Sequence, residues 1–253
     1  MSEPREIGRH TAIVTGAAQG LGAVIAQRLH AGGYNVAIAD IAFEKAQGMA
    51  DELDPLGATA MAVRLDVGSK PEFEAARDTV LSKWGALHVA VNNAALTPAT
   101  PVMDITPEEF DRVIATNLRG TFFGCQVFGA AFAKARYGRI VNLASLAAHN
   151  GGTTAGAHYA SSKAGIITLT KIFARDLSPL GVSVNAIAPG PLDLPIVHQT
   201  VAPDRLAKMI EAIPARQIGD PNFVGDLVVL LASPHAGFAT GATFDVNGGI
   251  YMR

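Results

Sequence analysis

Short runs of β-branched and other apolar residues alternate along this chain with longer stretches whose apolar positions recur at helical spacing. The runs Thr11–Thr15, Asn35–Ala39, Thr59–Leu65, Leu87–Val91, Arg139–Leu143, Ser183–Ile187 and Thr243–Val246 are predicted strands. Between them Leu21–Ala31, Phe43–Leu56, Lys70–Trp84, Pro107–Ala135, Ala157–Leu177 and Asn222–Leu231 are predicted helices. Strands buried on both faces read as continuous apolar runs instead of alternating ones, as "AIVTG" and "VAIAD" do. This order predicts βαβ units: an α/β protein with seven parallel strands in a doubly wound sheet and helices on both faces. A ligand of such a sheet sits beyond the carboxyl ends of the strands, where the strand order reverses.

Composition narrows the function classes. At 253 residues, with no linker, charge run or internal repeat, the chain is expected to form one domain, residues 1–253. Hydrophobic residues make up 49% and charged residues 17%, which suits a large core and not a disordered chain. A net charge of −2, with no basic stripe, argues against a nucleic-acid partner. The apolar runs are too short and interrupted for a membrane span, and Met1–His10 has no secretory apolar region. Cys125 stands alone, so an intrachain disulfide or a cysteine metal cage is excluded, and no close His/carboxylate set suggests any other metal. A cytoplasmic protein is the expectation.

The first strand runs into Thr15-Gly16-Ala17-Ala18-Gln19-Gly20-Leu21-Gly22, where the first helical pattern begins. Glycines allow a tight strand-to-helix turn and let a pyrophosphate approach backbone N–H groups, while the helix N-terminus offers unpaired donors and partial positive charge. The spacing differs from G-x-G-x-x-G, and a glycine turn alone can merely link strand to helix. Asp40 ends the second strand 20 positions after Gly20. A carboxylate there suits the adenosine ribose hydroxyls and repels a 2′-phosphate, and no Arg or Lys stands at 39–43. The expected cofactor is therefore NAD. The alternative role for Asp40 is a cap for the helix near Phe43.

Ser145 follows the strand Arg139–Leu143, and Tyr159-Ala160-Ser161-Ser162-Lys163 opens the next helix, with Tyr159 and Lys163 on one face. A tyrosine titrates near ~10, so a base at neutral pH needs it lowered by roughly three units, about 4 kcal/mol. One ammonium about 4 Å away at an effective dielectric near 20 supplies about that much. Ser145 would position the oxygen that changes bond order, and Tyr159 would exchange its proton. Singly these residues read as ordinary helix-surface and loop positions; it is their order after a dinucleotide turn that points to a reaction.

With these residues in place, the sequence resembles the short-chain dehydrogenase/reductase family over nearly its whole length. The match comprises T-G-x-x-x-G-x-G at 15–22, Asp66-Val67, Asn92-Asn93-Ala94, Asn117, Ser145, Tyr159-x-x-x-Lys163 and Pro189-Gly190. The resemblance implies a Rossmann-type fold and a catalytic set of Asn117, Ser145, Tyr159 and Lys163. It implies cofactor contacts from Gly16, Gln19, Gly20, Leu21, Gly22, Asp40, Ile41, Asp66, Val67, Asn93, Ala94, Tyr159, Lys163, Pro189, Gly190 and Leu192, with Asn92 also lining the cleft. Asp66 would bind the adenine amino group, Val67 pack its ring, Lys163 hold the nicotinamide ribose, and Asn117 keep a proton-relaying water. The alternatives are a buried amide at Asn117 and turn formers at Asp66 and Pro189-Gly190. Ala95 departs from a common glycine, and Leu194 from a threonine that meets the nicotinamide carboxamide.

Substrate choice is expected in Leu96–Asp104, Leu146–His158 and Leu192–Pro214. Leu96, Val102, Met103, Leu146, Leu192, Leu194, Ile196, Val197 and Met209 make these segments mostly apolar, which favours a hydrophobic secondary alcohol or ketone. His149, His158 and His198 in or beside them read as surface or capping histidines. The apolar faces of 107–135 and 157–177 and the segment Gly241–Met252 resemble family elements that pair subunits, which implies a homotetramer. Two alternatives stand beside the alcohol dehydrogenase. One is a 3-oxoacyl-thioester reductase, for whose acidic carrier Arg119, Arg136 and Arg139 are the candidate contacts. The other is a non-catalytic NAD-binding regulator.

Overall fold

The computed structural model describes residues 9–152 and 156–252. The polar start, Met1–Gly8, and Thr153–Ala155 of the 146–158 segment lie outside the described residues. Seven strands form one parallel sheet in the order β3-β2-β1-β4-β5-β6-β7. They are β1 (Thr11–Thr15), β2 (Asn35–Asp40), β3 (Ala60–Arg64), β4 (Val89–Asn92), β5 (Gly138–Leu143), β6 (Val182–Pro189) and β7 (Thr243–Val246). The order reverses at β1, which pairs β2 on one side and β4 on the other. The carboxyl ends of β1 and β4 thus border the crevice expected to hold a ligand.

The continuous apolar strands are explained by two cores. Ala12 and Val14 face the layer of α1 (Gly20–Ala31), α2 (Phe43–Leu53) and α10 (Pro221–Ala232), where Ile25, Leu29, Val224 and Val228 are fully buried. Ile13, between them, faces the opposite layer of α3 (Lys70–Trp84) and α5 (Gly120–Ala135), with Phe73, Phe128 and Phe132. Alternate residues of one strand therefore feed different cores, and both need to be apolar.

Differences from the sequence reading have local causes. α2 stops at Leu53 because Asp54 turns extended and its carboxylate accepts from the Leu56 and Thr59 amides and the Thr59 hydroxyl. These bonds hold the Asp54 carboxyl down at about 2. The helix expected over 107–135 spans that range but is not uniform: α4 (Pro107–Ile114) passes through a π-helical turn at Ala115–Arg119 into α5 without leaving helical backbone. The segment 192–214, in which no helix was expected, carries two, α8 (Pro195–Thr200) and α9 (Pro203–Ala212). α9 has no buried residue, so no core stripe marked it. A short α6 (Ala147–Asn150) follows Ser145, and α7 (Ala157–Leu177) matches expectation. No described helix is long and apolar enough to cross a membrane.

Candidate active site

The first turn is built around the space two glycines leave. Gly16 has φ +64, and a Cβ on it would lie 2.7 Å from the Cα of Ala94. A Cβ on Gly22 would lie 2.1 Å from the Gly16 carbonyl oxygen and 2.5 Å from Asn93 Nδ2. The end of β4 is stitched to this turn. The Asn93 side-chain amide donates to the Thr15 and Gly16 carbonyls at 3.0 and 3.1 Å, and the Asn93 and Ala94 backbone amides donate to the Thr15 hydroxyl. Gln19 precedes α1 without a side-chain cap, while Gly20, Leu21 and Gly22 form its first turn. The bracing role of the Thr15 hydroxyl was not legible in the T-G pattern.

Asp40, at the tip of β2, accepts from the Ala18 amide of the turn at 3.1 Å and from the Ala42 amide at 2.9 Å. The N-cap of α2 is Ala42, so Asp40 closes a turn ahead of that helix and does not cap it. Beside it Ile41 is exposed. Asp66 closes a similar turn by accepting from the Gly68 amide, and Val67 packs against Gly120. Asn92 turns its side chain inward, donating to Asn142 Oδ1 at 2.8 Å beside Cys125. At the end of β6, the Pro189 carbonyl accepts from the Leu146 amide and the Gly190 amide donates to Val246. Leu192 is buried and bridges to Gly219, so it belongs to the core more than to a substrate wall.

The candidate catalytic side chains Ser145, Tyr159 and Lys163 come together at the end of β5. The Ser145 hydroxyl hydrogen-bonds the Tyr159 phenol and accepts from the Ala147 amide. Lys163 is buried, donates from Nζ to the Leu143 carbonyl at 2.7 Å, and lies 5.6 Å from the Tyr159 ring centre. Burial pushes the Tyr159 phenol up, and the Ser145 hydrogen bond draws it partly back. Burial also pushes the Lys163 ammonium down to about 8. This corrects the sequence expectation of a phenol acidified by its neighbour. Desolvation penalises both charged forms, and at Tyr159 the opposing pull comes from Ser145, not from Lys163.

Asn117 sits in the π turn, a distortion common at functional sites. Its side chain donates to the Leu96 carbonyl and the Ser162 hydroxyl, and accepts from the Leu96 amide. The buried-amide reading of its side chain therefore describes its contacts. Ser162 in turn donates to the Tyr159 carbonyl. It stood inside the quoted Tyr–Lys motif without an assigned role, its i+3 position the only hint.

Two of the three histidines depart from the surface reading, and His198 keeps it. His158 is fully buried between Glu109 and the Tyr159 amide. His149 is mostly buried, 3.0 Å from Asp245 and stacked on Tyr251 at 4.6 Å. His198 is exposed beside Asp193. Arg139 is corrected as a carrier contact: it is buried, and its guanidinium is spent on the carbonyls of Gly138, Ser233 and Pro234. Arg119 and Arg136 remain exposed. Among the described residues no group of three or more His, Cys, Asp or Glu is placed to hold a metal ion.

A family model described as enoyl-(acyl carrier protein) reductase matches residues 16–251. The chain belongs to the short-chain dehydrogenase/reductase family. It is 36% identical to a 3-oxoacyl-[acyl-carrier-protein] reductase FabG of Staphylococcus epidermidis, covering 96% of this chain and 99% of that one. It is 37% identical to the Staphylococcus aureus protein of the same name, covering 96% and 98%. It is 34% identical to a sorbitol dehydrogenase of Cereibacter sphaeroides, covering 96% and 97%. The chain is thus a short-chain oxidoreductase acting on CH–OH or keto groups with a nicotinamide cofactor.

Proposed function

We propose that this chain transfers hydride between NAD(H) and a hydrophobic secondary alcohol or ketone, as one dinucleotide-binding and catalytic domain. The observation that carries this is the meeting of Ser145, Tyr159 and buried Lys163 at the end of β5, in the sheet whose β1 ends in the glycine turn. The residues fit a dinucleotide: the bare backbone at Gly16 and Gly22 has no room for a Cβ, and it leads into a helix N-terminus. Asp40, fixed beside that turn, favours ribose hydroxyls over a 2′-phosphate and supports NAD over NADP. Asp66 and Val67 would take the adenine, and Pro189, Gly190 and Leu192 the nicotinamide end. When bound, the nicotinamide gives or takes the hydride at the substrate carbon.

The chain's own residues handle the proton. Ser145 donates a hydrogen bond to the substrate oxygen, and Tyr159 donates its phenolic proton to that oxygen during reduction. A phenol raised by burial is protonated at neutral pH, which is the form reduction requires. Lys163, anchored on Leu143, carries charge toward the Tyr159 ring and is placed to hold the nicotinamide ribose. Asn117, in its π turn, would keep the relaying water. We assign Leu96, Val102, Met103 and Ile196, all with exposed surface, to the substrate walls.

The two FabG relatives favour one second reading, reduction of a 3-oxoacyl thioester, with Arg119 and Arg136 as exposed cations for a carrier. A homotetramer in the cytoplasm accompanies either reading. Tyr159→Phe tests both. It should cut turnover of ketones or 3-oxoacyl thioesters by about 10²–10⁴ while NADH binding, followed by fluorescence, stays intact. Turnover undiminished by that change would refute the assignment and leave a non-catalytic binder as the better account.

A further inference from the structure

His158 directly precedes the candidate acid Tyr159, and every polar atom of its ring is engaged. Its Nδ1 accepts from the backbone amide of Tyr159 at 3.0 Å. An accepting Nδ1 places the ring proton on Nε2, which then donates to Glu109 Oε1 at 2.8 Å. The same Glu109 oxygen accepts from the Thr100 hydroxyl at 2.7 Å. The Thr100 and His158 bonds together hold the Glu109 carboxyl below its ordinary range. The ring also stacks on Phe110, and a Cβ on Gly156 would lie 2.4 Å from its Cε1, so little room is left for it to turn.

One end of this chain is the first turn of α7, whose N-cap Gly156 has no side chain to satisfy the open amides. The other end is the segment 96–104. That segment is held at two further points, Leu96 on Asn117 and the Pro98 carbonyl on the Gly156 amide. Thr100 is its third attachment, and it reaches the Tyr159 amide through Glu109 and His158, whereas the Leu96 attachment reaches the Tyr159 carbonyl through Asn117 and Ser162.

We infer that His158 is a positioning residue: it fixes the backbone of Tyr159 and, through Glu109 and Thr100, ties the phenol to the substrate wall at 96–104. This rests on the role proposed above for Tyr159. The His158 tautomer makes the clamp directional. The Nδ1 bond sets the tyrosine and governs the chemical step, whereas the Nε2 bond sets the wall and governs substrate binding.

Two substitutions separate the ends. Asparagine places an amide oxygen near the position of Nδ1, and glutamine reaches the position of Nε2. His158→Gln should lower kcat about 10-fold with KM little changed, the loss expected of one hydrogen bond near 1.4 kcal/mol. His158→Asn should keep kcat and raise the KM for ketone. Thr100→Val, which cuts only the loop end, should behave like His158→Asn.

A readout independent of turnover uses ¹⁵N-tyrosine labelling, which gives signals from only four tyrosines, with Tyr159 assigned by its loss in Tyr159→Phe. Exchange of the Tyr159 amide should quicken about 10-fold in His158→Gln and stay near wild type in the other two. The inference is overturned if His158→Gln keeps wild-type exchange and kcat, or if all three variants change kcat and KM together. Wild-type protein that turns over no alcohol, ketone or thioester refutes the proposed function instead, whatever the exchange pattern shows.

Discussion

Replacing Lys163 with methionine, a side chain of similar length without charge, measures what a buried ammonium costs this fold. Lys163 is 3% exposed, and burial holds it at about 8 against an ordinary 10.5. That gap corresponds to a penalty of about 3 kcal/mol in the charged state at 1.36 kcal/mol per pH unit. Below about pH 8 folded and unfolded chains both carry the proton, so the penalty is full and constant. Between about 8 and 10.5 the unfolded chain binds more protons than the folded one, so wild-type stability from this group rises with pH. Above 10.5 both forms are neutral and the penalty is gone. The Leu143 carbonyl loses its donor in Lys163→Met at every pH, a cost of about 1–2 kcal/mol.

The variant should therefore be more stable than wild type by about 1–2 kcal/mol at pH 7, and less stable by a similar amount near pH 10.5. Urea unfolding of both proteins at several pH values measures the difference, and the raised tyrosine, common to both, drops out. A difference that stays flat from pH 7 to 10 would show that Lys163 is charged at no cost, and the reasoning from burial would be wrong.

Other expectations follow from single contacts. Gly22→Ala puts a Cβ against backbone at 2.1 Å and against the Asn93 amide that braces the turn, so NADH affinity should fall more than about 30-fold, a loss of about 2 kcal/mol; fluorescence titration checks this. Asp40→Ala removes the carboxylate and its bond to Ala18, so the ratio of kcat/KM for NADPH over NADH should rise about 10-fold or more; an unchanged ratio would discount Asp40 as the selector. Cys125 is buried and pushed up to about 12, so iodoacetamide at pH 8 should leave the folded protein unlabelled and react once urea unfolds it. Mass spectrometry reads both states.

How far the chain could be read before folding depended on the range of each interaction. Continuous apolar runs marked the strands because each faces two cores, as Ala12, Ile13 and Val14 show. Tyr159 and Lys163 were legible because four residues on a helix is a fixed local distance. The π turn at Ala115–Arg119 was hidden because the apolar period runs through it unchanged. α9 was hidden for the opposite reason, having no buried stripe to show.

By itself the sequence determined what local periodicity and short spacing can encode: the order of strands and helices, the glycine turn and the paired Tyr159 and Lys163. Only tertiary structure brought Leu96 to Asn117 across 21 residues and Glu109 to His158 across 49, and spent Arg139 on backbone carbonyls. It also decided the direction in which Tyr159 and Lys163 titrate. Proton affinity depends on how much water surrounds a group, and that is set by neighbours far away in the chain.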